Sequence, residues 1–194
     1  MIIVGITGSI GCGKTYLANI IRSLGFATYN PDHWVRDLYK KADFLKVIKK
    51  EFPVTFDEQG VFNKRMLRNI VFNDNKQLKH LESLIHPFLK KKLKQIIHTK
   101  ALKDEILFLD VALLFEMGWD KYCDFIIDAD VADNIQMQRV IERDKITEED
   151  FKKIISVQTS KDFKKYKSDY VIDTALSEGI NKIQLIKFIQ EVIS

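Results

Sequence analysis

The sequence predicts a three-layer α/β fold in which a five-stranded parallel sheet lies between layers of helices. First, the chain has 194 residues, of which 46% are hydrophobic, enough to bury one substantial core. Second, five short runs rich in β-branched or aromatic residues are bounded by turn residues, which is typical of buried strands. Third, stretches with helical apolar spacing separate these runs, and such alternation favours a parallel sheet covered on both faces. The predicted strands are 2–7, 26–29, 106–111, 125–128 and 170–172.

The strands are unevenly spaced, which predicts a helical insertion after the second strand. Residues 32–103 contain almost no strand signal, and we expect this insertion to hold the second substrate. One helix is predicted to begin at Phe44 and another near Met66. A third, over 78–97, contains Pro87 and is expected to be interrupted there, because proline removes a helical hydrogen bond.

A second helical excursion, 131–167, separates the last two strands and is rich in charges of both signs. We predict that it forms a mobile lid. The whole chain, 1–194, is then one domain. Its core is expected to comprise 1–31, 104–130 and 168–194, with the substrate-binding insertion at 32–103.

Composition narrows the class of ligand and the cellular setting. The net charge is +4, a modest excess that suits small phosphate anions and falls short of a nucleic-acid-binding composition. Cys12 and Cys123 match neither a zinc-site nor a disulfide pattern, so a reducing cytoplasm is expected. The opening apolar run, 1–4, is interpreted as a strand rather than a signal peptide. No apolar run of about 18 residues occurs, so we expect a soluble protein without a membrane partner. We also expect a monomer in the cytoplasm.

The most specific motif is the run Gly8-Ser9-Ile10-Gly11-Cys12-Gly13-Lys14-Thr15, which fits GxxxxGK[ST] between a predicted strand and a predicted helix. Such a loop points its backbone N–H groups at phosphate oxygens. Lys14 is expected to contact the β- and γ-phosphates, and the Thr15 hydroxyl is expected to bind Mg²⁺. The alternative is a glycine-rich turn that binds nothing. The residues predicted to bind ATP here are Gly8, Gly11, Cys12, Gly13, Lys14, Thr15 and Tyr16, which follows the motif.

Other features narrow the interpretation of this loop. Cys12 fills a variable position, where its backbone N–H is expected to matter, although a thiol beside a helix N-terminus could be sensitive to oxidation. A GTP-binding switch protein would carry an NKxD motif, and 181–184 reads NKIQ without the aspartate. Motor and helicase ATPases need larger cores, so a small-molecule kinase fits a chain of 194 residues better.

Six segments carry a combined pattern, in order along the chain. They are ITGSIGCGKT at 6–15, NPDHWVR at 30–36, IHP at 85–87, DVALLFE at 110–116, QMQRVIER at 136–143 and DYVID at 169–173. From end to end they resemble the dephospho-CoA kinase family, whose corresponding motifs are TGGIGSGKS, DAD, HP, PLLFE, QxxRxxxR and ADxVIDN. The order and spacing of the motifs are more specific than any one of them. The chain departs from the family pattern at Ser9, Cys12, Asn30, Ala112 and Thr174.

The resemblance implies an ATP-dependent phosphotransferase with an alcohol acceptor. The γ-phosphoryl group of ATP would pass to the 3′-hydroxyl of the ribose of dephospho-CoA, which gives CoA and ADP. ATP and dephospho-CoA are then the small-molecule partners, Mg²⁺ is the cofactor, and no nucleic acid is involved. The alternative is another P-loop small-molecule kinase or a nucleoside monophosphate kinase, because a fold does not fix the acceptor. A rival of another class is a nucleotide-binding regulator whose basic insertion docks a partner.

Two aspartates are the candidate acidic residues of the site. Asp32 follows the second predicted strand, at the sheet edge where open α/β folds bind ligands. It is expected to accept or orient the proton of the acceptor hydroxyl, with a helix N-cap as the alternative. Asp110 ends the third strand and is expected to hold Mg²⁺ directly or through water, with a structural turn carboxylate as the alternative.

Two arginines of the predicted lid are candidates for contact with phosphates. Arg139 and Arg143 are four residues apart and therefore share one helix face. We expect Arg139 to act in catalysis and Arg143 to bind ATP. The alternative is that they are surface arginines paired with Glu142 or Asp144.

Within the predicted insertion, two residues are expected to bind the acceptor. Arg36 follows Asp32 by one helical turn and could instead pair with it. His86 precedes Pro87, where a bend towards the acceptor is expected, and a buried, hydrogen-bonded histidine is the alternative.

Overall fold

In a computed structural model of the protein, five parallel strands form one sheet, as the sequence predicts. The structure describes residues 1–100 and 106–193. The order of the strands across the sheet is β2-β3-β1-β4-β5. The strands are β1 (Ile2–Thr7), β2 (Thr28–Tyr29), β3 (Ile106–Asp110), β4 (Phe125–Asp130) and β5 (Tyr170–Asp173).

The chain divides into two compact units. The first comprises Met1–Asn30 and Lys103–Ser194, and the second comprises Pro31–Leu102. The predicted boundary between insertion and core, at 103–104, lies outside the described residues. The division into core, substrate-binding insertion and mobile lid stays a prediction about function.

The first unit contains the sheet and the helices that cover it. All five residues of β3 are buried, as expected for a strand covered on both faces. One core cluster joins Val4 and Ile6 of the sheet to Leu17 and Leu185 of the flanking helices. The helices of this unit are α1 (Lys14–Ser23), α6 (Asp133–Asp144), α7 (Glu148–Ser156), α8 (Lys161–Lys167) and α9 (Glu178–Ile193).

Local capping sets the limits of the helices between β4 and β5. The Thr147 side chain and that of Asp150 form a capping box at the start of α7, which satisfies two backbone donors of the first turn. Ser160 accepts a hydrogen bond from the Phe163 N–H at the start of α8. Lys145, in the left-handed conformation with φ 55°, ends α6. The chain therefore forms three short helices here instead of one long one.

The second unit is helical. Its elements are α2 (Pro31–Leu38), α3 (Ala42–Glu51), a 3-10 turn at Pro53–Thr55, α4 (Lys64–Asn73) and α5 (Asn75–Lys100). Phe44 and Ile48 of α3 are fully buried, and Leu67 of α4 is nearly so.

The predicted interruption near Pro87 is wrong, because α5 continues through this residue to Lys100. A proline inside a helix removes one hydrogen bond and crowds the preceding turn. Here buried leucine and isoleucine side chains lie on both sides of it, at Ile85, Leu89 and Leu93. This apolar stripe at helical spacing stabilises the helix across the local defect. Among the described residues, no helix combines the length and the apolar composition that would let it cross a membrane.

Candidate active site

The loop between β1 and α1 has the backbone that its glycines allow. Gly11 and Gly13 have φ values of 78° and 88°, which residues with a Cβ atom rarely adopt. Space is also restricted, because a Cβ atom on Gly13 would lie 2.7–2.9 Å from side-chain atoms of Thr174. The loop leads directly into α1 at Lys14, so its N–H groups lie at a helix N-terminus, where anions are favoured.

Lys14 and Asp110 form an ion pair beside this loop. The other oxygen of the Asp110 carboxylate accepts a hydrogen bond from the Asn30 side-chain amide at 3.2 Å and lies 4.0 Å from the Arg22 guanidinium. Asp110 is 2% exposed, so its charge is compensated by neighbours rather than by water. The structure thus brings together two predicted residues, Lys14 and Asp110.

The donor set fits Mg²⁺, which prefers hard oxygen ligands and usually keeps waters and substrate phosphates as well. The Asp110 carboxylate is one such oxygen donor, and the hydroxyl of Thr15, an exposed residue in the first turn of α1, is another. Within residues 1–100 and 106–193, no cluster of three or more His, Cys, Asp or Glu could hold a metal. The residues present therefore suit a cation that phosphates would help to bind.

The first half of the loop is held by side chains from distant parts of the chain. The Ile10 carbonyl accepts a hydrogen bond from the Gln136 amide at 2.7 Å, and the Ile10 N–H donates to Gln158 at 3.2 Å. The Ser9 hydroxyl lies 3.4 Å from the Lys164 ammonium. Both backbone polar groups of Ile10 are therefore bonded to protein.

Cys12 is buried, with 1% exposure. Burial raises the pKa of its thiol to about 11, so the reactive thiolate is scarce at neutral pH. The Cys12 carbonyl accepts a hydrogen bond from the Thr174 hydroxyl at 2.8 Å. These contacts favour the interpretation in which the backbone of Cys12 matters and its thiol is inert.

The two predicted arginines of α6 have separate partners. The Arg139 guanidinium donates to the Thr174 hydroxyl at 2.9 Å and to the Thr174 carbonyl at 3.0 Å. Arg143 makes two hydrogen bonds of 2.8 Å to the Asp144 carboxylate. Arg139 is thus linked through Thr174 to the phosphate-binding loop, whereas Arg143 has the surface pairing that the sequence left open as its alternative.

In the second unit, Asp32 and Arg36 lie one turn apart on α2, and both are exposed. Asp32 is not an N-cap. The helix begins at Pro31, whose fixed φ suits the first helical position, so Asp32 lies within the first turn. His86 is half-buried on α5.

Comparison with known proteins places this geometry in a family. The family model described as dephospho-CoA kinase matches residues 2–178. The chain belongs to the dephospho-CoA kinase family. It is 35% identical over 175 residues to a dephospho-CoA kinase of Bartonella henselae, an alignment that covers 90% of this chain and 89% of the relative.

Solved structures agree with the fold, and one of them is a dephospho-CoA kinase. The crystal structure of TT1252 from Thermus thermophilus has a TM-score of 0.87 at 25% identity, and the match covers 100% of this chain and 98% of that one. A dephospho-CoA kinase from Campylobacter jejuni has a TM-score of 0.68 at 26% identity, with coverage of 98% and 96%. The predicted family and fold class are confirmed.

Three departures from the dephospho-CoA kinase pattern lie in the contacts described above. Asn30, in place of an aspartate, donates to Asp110 instead of facing it with a like charge. Thr174, in place of an asparagine, connects Arg139 to the Cys12 carbonyl. Ser9, in place of a glycine, supplies a hydroxyl beside Lys164. No feature of the described residues explains Ala112.

Several residues that hold the phosphate-binding loop are not predicted from the sequence. Gln136 and Glu116 lie in motifs of the family pattern, but the pattern alone gives neither residue a role. Gln158 and Lys164 lie in a polar, lysine-rich stretch that is typical of a solvated surface. Asp128 of β4 lies at the end of a predicted strand and is 2% exposed. Burial and the neighbouring Asp130 raise its pKa to about 7.

Proposed function

We propose that the chain transfers the γ-phosphoryl group of ATP to the 3′-hydroxyl of the ribose of dephospho-CoA and so produces CoA and ADP. The observation that supports this most directly is a complete phosphate-binding loop, with its Lys14–Asp110 pair, in a chain that matches the dephospho-CoA kinase model over residues 2–178. The reaction needs positioning and charge neutralisation more than covalent help, because its transition state is loose.

Each residue of the site has a proposed part in that reaction. Lys14 leaves Asp110 and contacts the β- and γ-phosphates when ATP binds. The Asp110 carboxylate and the phosphates are anions that compete for the same ammonium group. The loop glycines and Cys12 offer their backbone N–H groups to the same phosphates. Arg139 acts on charge that develops on the transferred group. Arg143 binds ATP after it exchanges Asp144 for a phosphate.

Mg²⁺ is proposed as the cofactor, held by the Thr15 hydroxyl and the Asp110 carboxylate. When bound, it would neutralise charge on the phosphate oxygens. Asp32 accepts the proton of the 3′-hydroxyl, and Arg36 and His86 bind the acceptor. We propose further that the protein is a cytoplasmic monomer whose partners are these small molecules and not nucleic acid.

The direct test is a coupled assay of ADP formation with dephospho-CoA, nucleoside monophosphates and water as alternative acceptors. ADP should form in proportion to dephospho-CoA, and the product should carry a new 3′-phosphate. Faster turnover with a nucleoside monophosphate would show that this compound, and not dephospho-CoA, is the acceptor. Slow ADP formation at the same rate with every acceptor would instead favour a nucleotide-binding regulator.

The role of Asp32 is tested by Asp32→Asn and Asp32→Ala. If Asp32 is the general base, Asp32→Asn should lower turnover by about a hundredfold to ten-thousandfold, with ATP affinity unchanged. Because Asp32 lies inside the first turn rather than at the cap, both variants should unfold within a few degrees of the wild type. Arg36→Gln is a neighbouring control that should affect the Michaelis constant for the acceptor. If Asp32→Asn keeps wild-type turnover, Asp32 is not the general base.

A further inference from the structure

Lys164 of α8 is a fully buried cation, with 0% exposure of its side chain. A buried ammonium group is costly unless other polar groups replace its water shell. Its neighbours are the Ser9 hydroxyl at 3.4 Å and a Glu116 carboxylate oxygen at 3.5 Å. One of these belongs to the phosphate-binding loop, and the other follows β3. The charge of Lys164 is therefore placed where it can act on the loop without contact with solvent.

These contacts close a ring. The Glu116 oxygen that faces Lys164 also accepts the backbone N–H of Thr159 at 2.9 Å. The preceding residue, Gln158, accepts the Ile10 N–H at 3.2 Å, and Ile10 follows Ser9 in the loop. We call Ser9, Ile10, Gln158, Thr159, Glu116 and Lys164 the loop ring.

Contacts outside this ring also attach α8 to the sheet. Lys161 donates to the Val131 carbonyl and lies 2.7 Å from Asp133. Lys165 lies 2.7 Å from the Asp130 carboxylate. These partly exposed pairs hold the helix at the end of β4. Lys164 is different, because its partners are Ser9 of the phosphate-binding loop and Glu116, which follows β3. Its contacts therefore connect α8 to the loop.

The charges around Lys164 are consistent with a fixed ion pair. Burial alone would raise the pKa of Glu116, but the backbone N–H groups of Thr159 and of Glu116 itself, together with the Lys164 charge, lower it below its usual value. Lys164 also opposes the rise in the pKa of the buried Asp128. Loss of its ammonium group would leave the buried Asp128 and the half-buried Glu116 with less compensation of their charge.

From this geometry we infer that Lys164 is a positioning residue for ATP, and that it acts through Ser9 and the loop ring to keep the first half of the phosphate-binding loop in its ATP-binding conformation. The inference rests on the proposed function, since it assumes that ATP binds to this loop. It assigns no contact between Lys164 and the nucleotide. The effect is expected in ATP affinity, because a loop that must reorganise before it binds loses affinity for its ligand.

The test is a double-mutant cycle of Lys164→Met and Ser9→Ala, with the Kd for MgATP measured by calorimetry. Lys164→Met should raise this Kd by about tenfold or more, and Ser9→Ala by about threefold to tenfold. The double variant should bind no more weakly than Lys164→Met alone, because both changes break the same ring. The Kd for dephospho-CoA should change by less than about twofold in all three. Lys167→Met, an exposed lysine on the same helix, is the matched control and should bind MgATP as the wild type does.

Three outcomes would overturn the inference. They are an unchanged Kd for MgATP in Lys164→Met, single effects that multiply in the double variant, and an equal loss of affinity for both substrates. If Lys164→Met fails to fold, Glu116→Gln replaces it in the cycle with Ser9→Ala, and the same non-additive loss is expected. Failure of the proposed function is distinguishable. In that case the wild-type protein would form ADP at a rate independent of dephospho-CoA, whatever result the double-mutant cycle gives.

Discussion

The two halves of the phosphate-binding loop have partners of different kinds. In the first half, Ser9 and both backbone groups of Ile10 contact buried or half-buried side chains of the protein. In the second half, the Cys12 carbonyl is held by the Thr174 hydroxyl, but Lys14 pairs with the Asp110 carboxylate and Thr15 is exposed. The first half is thus bonded on several sides, whereas the second half keeps groups that a phosphate could take over.

Lys14 and Lys164 are one residue type with two proposed functions in one site, and they differ in burial. Both are paired with a carboxylate, but 12% of the Lys14 side chain is exposed, against 0% for Lys164. An ammonium group that can reach solvent can exchange its partner for a ligand, whereas a fully buried one stabilises the structure around it. Burial, rather than residue type or charge, separates the two.

The largest expected effect is that of Lys14→Ala, which removes the exchangeable cation from the second half of the loop. Turnover should fall by about a hundredfold or more, as for other preorganised charge contacts. The circular dichroism spectrum should hardly change, because Asn30 and Arg22 still face the Asp110 carboxylate. Lys40→Ala, an exposed lysine of the other unit, is the control. A variant that keeps more than about a tenth of wild-type turnover would contradict the role of Lys14.

A smaller effect is expected for Arg139→Ala, which tests the link between α6 and the middle of the loop. Turnover should fall by about tenfold to a hundredfold, with little change in acceptor affinity, if Arg139 acts on developing charge. Arg139→Lys should recover only part of the turnover lost in Arg139→Ala, since the planar guanidinium is absent.

Thr174→Val separates this role from an indirect one. It removes the hydroxyl that bonds both Arg139 and the Cys12 carbonyl. We expect it to slow turnover by less than about fivefold. Equal losses in Arg139→Ala and Thr174→Val would show that Arg139 only orients the loop through Thr174.

The smallest effect on turnover, less than about threefold, is expected for Asp128→Asn, whose value lies in the dependence of stability on pH. Burial and Asp130 raise the pKa of Asp128 from 3.8 to about 7, against the opposing charges of Lys164, Lys165 and Lys161. Between these two pH values the folded state therefore holds a proton that the unfolded state has lost. The contribution of Asp128 to the free energy of unfolding is greatest below about pH 4 and is lost as the pH rises to about 7.

The measurement is the free energy of unfolding of wild type and Asp128→Asn in urea at several pH values. Relative to the wild type, the variant should gain stability between about pH 4 and pH 8, by an amount on the order of 1–4 kcal/mol. A constant difference across this range would mean that Asp128 is ionised throughout.

Much of the fold follows from local patterns. β1 has the predicted bounds, and the other four strands were found within two residues at most of their ends. β2 is shorter than predicted because it is an edge strand that pairs with β3 alone. The order of the strands depends on pairings between distant segments, which a local pattern does not encode. The break predicted at Pro87 failed because tertiary packing overrides the local preference of one proline.

In the candidate site too, local motifs predict some of the residues and contacts between distant segments determine the others. The motif at 8–15 located the loop, because turn geometry and phosphate contact require those residue types at that spacing. The side chains that hold the loop come from residues more than 120 positions away. In sequence, Lys164 is one of several lysines in KDFKKYK, and only the packing of α8 distinguishes it from the others. The roles of Asp32, Arg36 and His86 stay predictions that the proposed assays test.

The long separation between the loop and its supports also bears on protein synthesis. Residues 8–15 leave the ribosome before the side chains that hold them, because Gln158, Lys164 and Thr174 are 148, 155 and 162 residues from their partners in the loop. At roughly 5–20 residues per second, the loop therefore waits on the order of ten to thirty seconds for the side chains that hold it. A nascent chain that ends before α8 would carry the entire nucleotide-binding motif and yet bind ATP weakly.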